Sequence, residues 1–220
     1  MFISFEGIDG SGKSAAANSL VRRLEEGGQP AIFVDRRRST AGAQYAADHA
    51  KRLGDILWPR SPDEPQYLLG DQYFLHLTAA WLHLLDQQVV RPALHQNNIV
   101  VVDGWFYKAA ARYSMRPSLS KSLIRESFAP LSRPNRVFML NISPLAAAGR
   151  KRTFSNAESG VNDGSTGGAN GFVDYQARVQ EQLDRVLQED DRAVTFLDAN
   201  KAPEELVKTA FDLLSESVGR

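Results

Sequence analysis

Near the amino terminus, Gly7-Ile8-Asp9-Gly10-Ser11-Gly12-Lys13-Ser14 carries the spacing Gly-x-x-x-x-Gly-Lys-Ser. These residue types at this spacing are suited to gripping a polyphosphate. Gly7, Gly10 and Gly12 let the backbone turn its N–H groups inward around phosphate oxygens. Lys13 brings a point charge for the β- and γ-phosphates, and the Ser14 hydroxyl can ligate Mg²⁺. Asp103 ends the apolar run Ile99-Val100-Val101-Val102, where a carboxylate can reach the same cation directly or through water. The predicted ligands are therefore ATP and Mg²⁺, with Lys13 and Asp103 catalytic and Ser14 and Asp103 on the metal.

Two further groups of cations stand out. Arg150-Lys151-Arg152 closes a short helical stretch that begins at Pro144, and Ser155 to Gly171 follows, rich in Gly, Asn, Ser and Asp. This pattern predicts a lid over roughly 144–172, mobile without ligand, whose Arg150 and Arg152 close over the γ-phosphoryl group and exclude water. Lys108 and Arg112 stand four residues apart, which puts them on one face if the segment after Trp105 is helical.

The elements that must position these groups are legible as alternation. Phe2 to Phe5, Ala31 to Asp35, Ile99 to Asp103, Arg136 to Ile142 and Ala193 to Asp198 are short apolar or β-branched runs, each followed by a helical pattern. Five such strands predict a parallel α/β sheet covered on both faces, with ligands at the carboxyl ends of the strands. The helix after the Gly-rich loop is expected from Ser14 to Glu26, with Leu20, Val21 and Leu24 inward and Gly27-Gly28 as its stop. A Pro-rich loop, Trp58 to Pro65, precedes a strongly apolar stretch from Tyr67 to Leu94. Its Phe74, Leu77, Trp81, Leu84 and Leu85 fall at helical spacing and are read first as packing, with a surplus face for a partner subunit.

Composition narrows the class. The chain has 220 residues, enough for one domain with a substantial core, and its 26 basic and 26 acidic side chains cancel. No global field draws it to nucleic acid or to an anionic membrane, so any anion site is local. There is no cysteine, which excludes disulfides, thiolate catalysis and cysteine-built zinc sites. With neither a leader pattern nor an uninterrupted apolar span of membrane length, the expected location is the cytoplasm.

Phe5-Glu6-Gly7-Ile8-Asp9-Gly10-Ser11-Gly12-Lys13-Ser14, Arg91-Pro92-Ala93-Leu94 with Ile99 to Asp103, Leu140-Asn141-Ile142-Ser143-Pro144 with Arg150, and Leu197-Asp198-Ala199-Asn200 with Pro203 to Val207 together resemble the thymidylate kinase family of P-loop nucleoside monophosphate kinases. The likeness runs through nearly the whole chain. It implies a five-stranded parallel sheet with a lid, a homodimer, and transfer of the ATP γ-phosphoryl group to a nucleotide 5′-phosphate. By the same resemblance Ala199 and Asn200 lie in the loop that contacts adenine. Asp9 would hold the acceptor sugar hydroxyl and Arg36, Arg37 or Arg38 the acceptor phosphate. The loop has Gly10 and Ser11 where some members carry an arginine, which leaves Arg150 or Arg152 to supply that charge.

The acceptor side departs from the family pattern. Where members usually have Asp-Arg-Tyr or Asp-Arg-His, this chain has Asp103-Gly104-Trp105, and the position of the base-reading arginine falls near Leu82. A lost charge-assisted phosphate contact is worth about 1.5 to 3 kcal/mol, so Lys108 and Arg112 are the expected replacements, and Gly104→Arg is expected to restore thymidylate use. The acceptor site is then expected to draw on Asp9, Arg36, Arg38, Phe74, Trp105, Lys108 and Arg112. Three readings follow: a thymidylate kinase-like enzyme, a kinase of a different nucleotide, nucleoside or nucleoside-like metabolite, and an ATP-binding regulator without turnover.

Overall fold

Each of the five apolar runs folds as a strand: β1 (Phe2–Glu6), β2 (Ala31–Val34), β3 (Ile99–Val102), β4 (Arg136–Asn141) and β5 (Ala193–Asp198). All four pairings are parallel, in the order β2-β3-β1-β4-β5. The structure, a computed structural model, describes residues 1–35, 43–57, 68–190 and 193–218. Arg36, Arg37, Arg38 and the Pro-rich patch lie outside the described residues.

β1 occupies the middle of the sheet and is buried along its whole length. Successive side chains of a strand point to opposite faces, so Phe2 packs into one core with Val100, Val102, Val137 and Met139, while Ile3 and Phe5 pack into the other with Val101, Phe138 and Leu140. On the second face lie α1 (Lys13–Glu26) and α9 (Pro203–Val218), which contribute Leu20, Leu24, Leu206 and Ala210. On the first lie α3 (Gly70–Leu85), α5 (Tyr107–Ser114), α6 (Lys121–Phe128) and much of α8 (Gly168–Gln188). α2 (Gln44–Leu57) packs beside α3.

The long apolar stretch is not one helix. α3 runs into a π-helical turn, Asp86–Val90, and then α4 (Arg91–His95). Pro92 has no N–H and its ring crowds the carbonyl one turn back, and widening the preceding turn relieves that crowding. The Arg91 N–H reaches the Asp86 carbonyl across the widened turn. The fully buried Asp86 carboxylate accepts from Arg91 Nε at 2.9 Å and from the Ser132 N–H at 3.0 Å, tying this bend to the loop before β4.

The lid segment is more structured than its composition implies. α7 (Pro144–Gly149) is capped by the Ser143 hydroxyl, which accepts from the Ala146 N–H. Beyond it, Ser155 and Glu158 bond reciprocally: the Ser155 N–H donates to Glu158 Oε2 at 3.1 Å and the Glu158 N–H to Ser155 Oγ at 3.3 Å. That is a capping-box arrangement. A 3-10 turn over Val161–Asp163 follows, and the returning helix already begins at Gly168.

Candidate active site

The Gly-rich loop leaves the carboxyl end of β1 and enters α1 directly, so the first turn of the helix sits at the centre of the sheet's ligand edge. Gly10 has φ +81°, and a Cβ there would stand 2.9 Å from the Ala147 carbonyl oxygen of α7. Glycine therefore lets the loop lie directly against the base of the lid. Lys13 is buried, and its ammonium donates to the Ile8 carbonyl at 2.7 Å and reaches Ser11 Oγ at 3.4 Å, folded over the loop it serves. Ser14 Oγ donates to Asp103 Oδ2 at 2.5 Å, although the two residues belong to different strand–helix connections.

The Ser14–Asp103 pair fits Mg²⁺ by the chemistry of its donors. A hydroxyl and a carboxylate supply hard oxygens, and Mg²⁺ ordinarily takes one or two protein oxygens, with water and substrate phosphates completing its shell. Among the described residues there is no cluster of three or more His, Cys, Asp or Glu side chains that could hold a metal by themselves.

Beside the Gly-rich loop, Asp9 is the hub of a polar network. Lys108 Nζ sits 2.6 Å from Asp9 Oδ1, a half-buried ion pair. The Asp9 N–H donates to Gln176 Oε1 at 3.0 Å, and Gln176 Nε2 donates to Asp9 Oδ2 at 3.2 Å. Burial alone would raise the Asp9 pKa, but the positive charges of Lys108, Arg112 and Lys13 outweigh it and hold the carboxyl well below the usual carboxylate range. Each carboxylate oxygen keeps a lone pair beyond these bonds, so Asp9 can still accept from a ligand hydroxyl.

α5 delivers Lys108 and Arg112 to the same side, because the segment after Phe106 is helical and the two lie one turn apart. Arg112 Nε donates to Tyr175 Oη at 3.2 Å, its guanidinium lies over the Tyr175 ring at 5.3 Å, and Nη2 donates to the Ala157 carbonyl of the lid. Burial opposes the charge on Arg112, but Tyr175 and Asp9 more than compensate and raise its pKa. Just past α5, Arg116 pairs with Asp163 of the lid at 2.7 Å and with Asp71 of α3 at 3.5 Å.

Other expected site residues stand elsewhere. Trp105 is a core residue: it is fully buried, packs edge-to-face on Phe2 at 5.4 Å, and donates its indole N–H to the Ser132 carbonyl at 2.9 Å. Its ring is closed to a ligand. The Trp105 backbone N–H donates to the buried Glu6 at 2.6 Å, and Gly104 before it has φ +113°. An L side chain rarely adopts that backbone, so an arginine placed here would strain the turn, and Gly104→Arg is not a simple restoration. Leu82 is likewise buried. Phe74 is half-buried beside α5, with Tyr113 Oη donating to its carbonyl at 2.8 Å.

Arg150 reaches across the base of the lid, donating to the Ala199 carbonyl at 2.6 Å and to the Ser11 carbonyl at 3.5 Å. It thus joins the loop after β5 to the Gly-rich loop. Asn200 is fixed next to it, its N–H and its side-chain amide each 2.9 Å from Asp198 Oδ1. Arg152 is exposed on the turn after α7. Sequence reasoning missed Gln176 and Glu158. For Gln176 the signal was available, a polar residue inside the inward stripe Phe172, Tyr175, Val179 and Leu183.

A parallel β2-β3-β1-β4-β5 sheet, with a Gly-rich loop running from its central strand into a helix and a lid returning over it, defines a P-loop fold of the nucleoside monophosphate kinase type. The sequence model of the thymidylate kinase family matches residues 5–210, and the chain belongs to that family. It is 26% identical to the thymidylate kinase of Symbiobacterium thermophilum, covering 100% of this chain and 95% of that one. It is 29% identical to the thymidylate kinase of Chlorobaculum tepidum, covering 94% and 92%. It is 25% identical to the probable thymidylate kinase 2 of Saccharolobus solfataricus, covering 91% and 89%.

Proposed function

We propose that the chain is an Mg²⁺-dependent kinase that moves the ATP γ-phosphoryl group to a nucleoside monophosphate, dTMP or a related nucleotide. The observation that carries this reading is the Lys108–Asp9 pair next to the Gly-rich loop, with Arg112 behind it. It sets an anion-binding cation and a hydroxyl-accepting carboxylate side by side, as a sugar 5′-phosphate requires.

In the reaction an acceptor phosphate oxygen attacks the γ-phosphorus while the bond from that phosphorus to the β–γ bridging oxygen breaks, and ADP leaves. An ionised acceptor needs no general base, so the protein's work is in-line positioning and neutralisation of charge. Lys13 and the loop amides hold the donor phosphates. Ser14 and Asp103 would hold Mg²⁺, which when bound would offset the negative charge on the phosphates. Arg150, between Ala199 and Ser11, steadies the nucleoside end of the donor, and exposed Arg152 is the arginine free to swing onto the transferring group. Lys108 takes the acceptor phosphate, and Asp9 the sugar hydroxyl.

A second reading within this class, a different nucleotide or nucleoside-like acceptor, is favoured by the positive φ of Gly104 and the burial of Leu82. A panel of nucleoside monophosphates and nucleosides with Mg·ATP, run on native protein and Lys108→Met, tests these readings. Turnover of dTMP with a KM raised about ten- to a hundred-fold in Lys108→Met supports the first. Turnover of another acceptor alone supports the second. ATP binding without turnover of any acceptor leaves a nucleotide-binding regulator. The exposed Tyr45, Ile56, Leu69 and Tyr73 of α2 and the start of α3 are where a second copy would dock, and sedimentation as a monomer at micromolar concentration would refute that arrangement.

A further inference from the structure

Gln176 occupies an inward position of α8 and is fully buried, where an uncharged amide is retained only if its polar atoms are bonded. Every one is. Oε1 accepts from the Asp9 N–H at 3.0 Å, and the two Nε2 hydrogens go to Asp9 Oδ2 at 3.2 Å and to the Glu158 carbonyl of the lid at 2.7 Å. One side chain thus spans the Gly-rich loop and the lid, two segments far apart in sequence. The lid turn it holds is built by the reciprocal Ser155–Glu158 bonds and anchored by Lys151 on Glu158 at 3.0 Å.

We propose that Gln176 is a positioning residue that makes the orientation of Asp9 depend on the docked lid, coupling acceptor capture to lid closure. This rests on Asp9 facing the acceptor. When the lid lifts, Nε2 loses the Glu158 carbonyl, one of the three bonds that fix the amide, and the two bonds to Asp9 are left to orient it alone. Conversely, a ligand hydroxyl on Asp9 favours the orientation in which Gln176 grips the lid, because coupling between two binding events is reciprocal. Lys108 steadies Asp9 Oδ1, and Gln176 bonds both to Asp9 and to a lid carbonyl through one amide.

The test is hydrogen exchange on the full chain without nucleotide, comparing native protein with Gln176→Leu and Gln176→Glu. Leucine removes all three bonds. Glutamate keeps the acceptor for the Asp9 N–H but loses both donors and places a carboxylate against Asp9. Both variants should speed exchange across 155–168 by about tenfold or more, with the sheet amides unchanged. They should also raise the acceptor KM while leaving the ATP KM in place. Lid exchange at the native rate in both variants overturns the proposal. Should Gln176→Leu lose its native circular dichroism, the isosteric Gln176→Glu carries the comparison. A native protein that phosphorylates no nucleotide sinks the acceptor reading, and lid exchange still decides the coupling.

Discussion

The juxtaposition of Ser14 and Asp103 was legible in the sequence because the Gly-rich loop and an acid ending an apolar run both belong at strand ends, and the structure brings the two to within 2.5 Å. Trp105 was not legible. An aromatic beside a missing arginine reads equally as a ligand platform or as core, and the choice is made by a backbone hydrogen bond to Glu6 and by Phe2, neither of which leaves a local pattern. Gly104 gives the sharper lesson, since its φ of +113° is a main-chain conformation that an arginine would rarely adopt. Gly104→Arg is therefore expected to destabilise the protein by about 1 to 3 kcal/mol and to leave dTMP use unimproved. Chemical denaturation and steady-state kinetics of this single variant check both halves, and a stable variant with improved dTMP turnover would show that the turn can accommodate arginine.

The strands and α1 fell close to where alternation and the loop placed them, since a sheet buried on both faces writes its pattern directly into short apolar runs. The elements that deviated are those shaped by exceptions: Pro92 opens a π-helical turn within the long apolar stretch, and Ser155 with Glu158 folds a segment whose composition suggests disorder. Ser155-Asn156-Ala157-Glu158 has the Ser-x-x-Glu spacing of a capping box, a signal that reading the segment by its composition alone passed over. Gly160 fixes how this segment docks. It has φ +68°, and a Cβ there would stand 2.3 Å from the Tyr175 ring, an overlap that requires movement. Gly160→Ala should push the lid off α8, lengthen the Arg112–Ala157 and Gln176–Glu158 contacts, and raise proteolytic nicking within 155–168 while the sheet stays folded. Unchanged nicking would mean that Tyr175 yields and the lid stays docked.

At the scale of the molecule, the polar network around Asp9 links the Gly-rich loop, α5, α8 and the lid, so acid should act on all of them together. The Asp9 pKa is depressed in the folded state, and an unfolded aspartate titrates near about 3.9. Below that value the unfolded chain binds a proton that folded Asp9 refuses. The stabilisation is therefore complete above roughly pH 4 to 5 and is lost as pH falls towards the folded pKa. Asp9→Asn should be less stable at neutral pH and show a shallower loss between about pH 5 and 3; urea midpoints over that range that run parallel to the native ones would contradict this. Among the described residues no helix is long and apolar enough to cross a membrane, and the chain's equal acidic and basic counts leave local cations to do the anion binding. That local grip is the claim on which the function rests, and calorimetric titration of Mg·ATP into native protein and Lys13→Ala tests it most directly. Saturable Mg²⁺-dependent binding by the native chain, weakened about tenfold or more in Lys13→Ala, is the predicted result; native protein that takes up no Mg·ATP, or a variant that binds it equally well, would contradict the account.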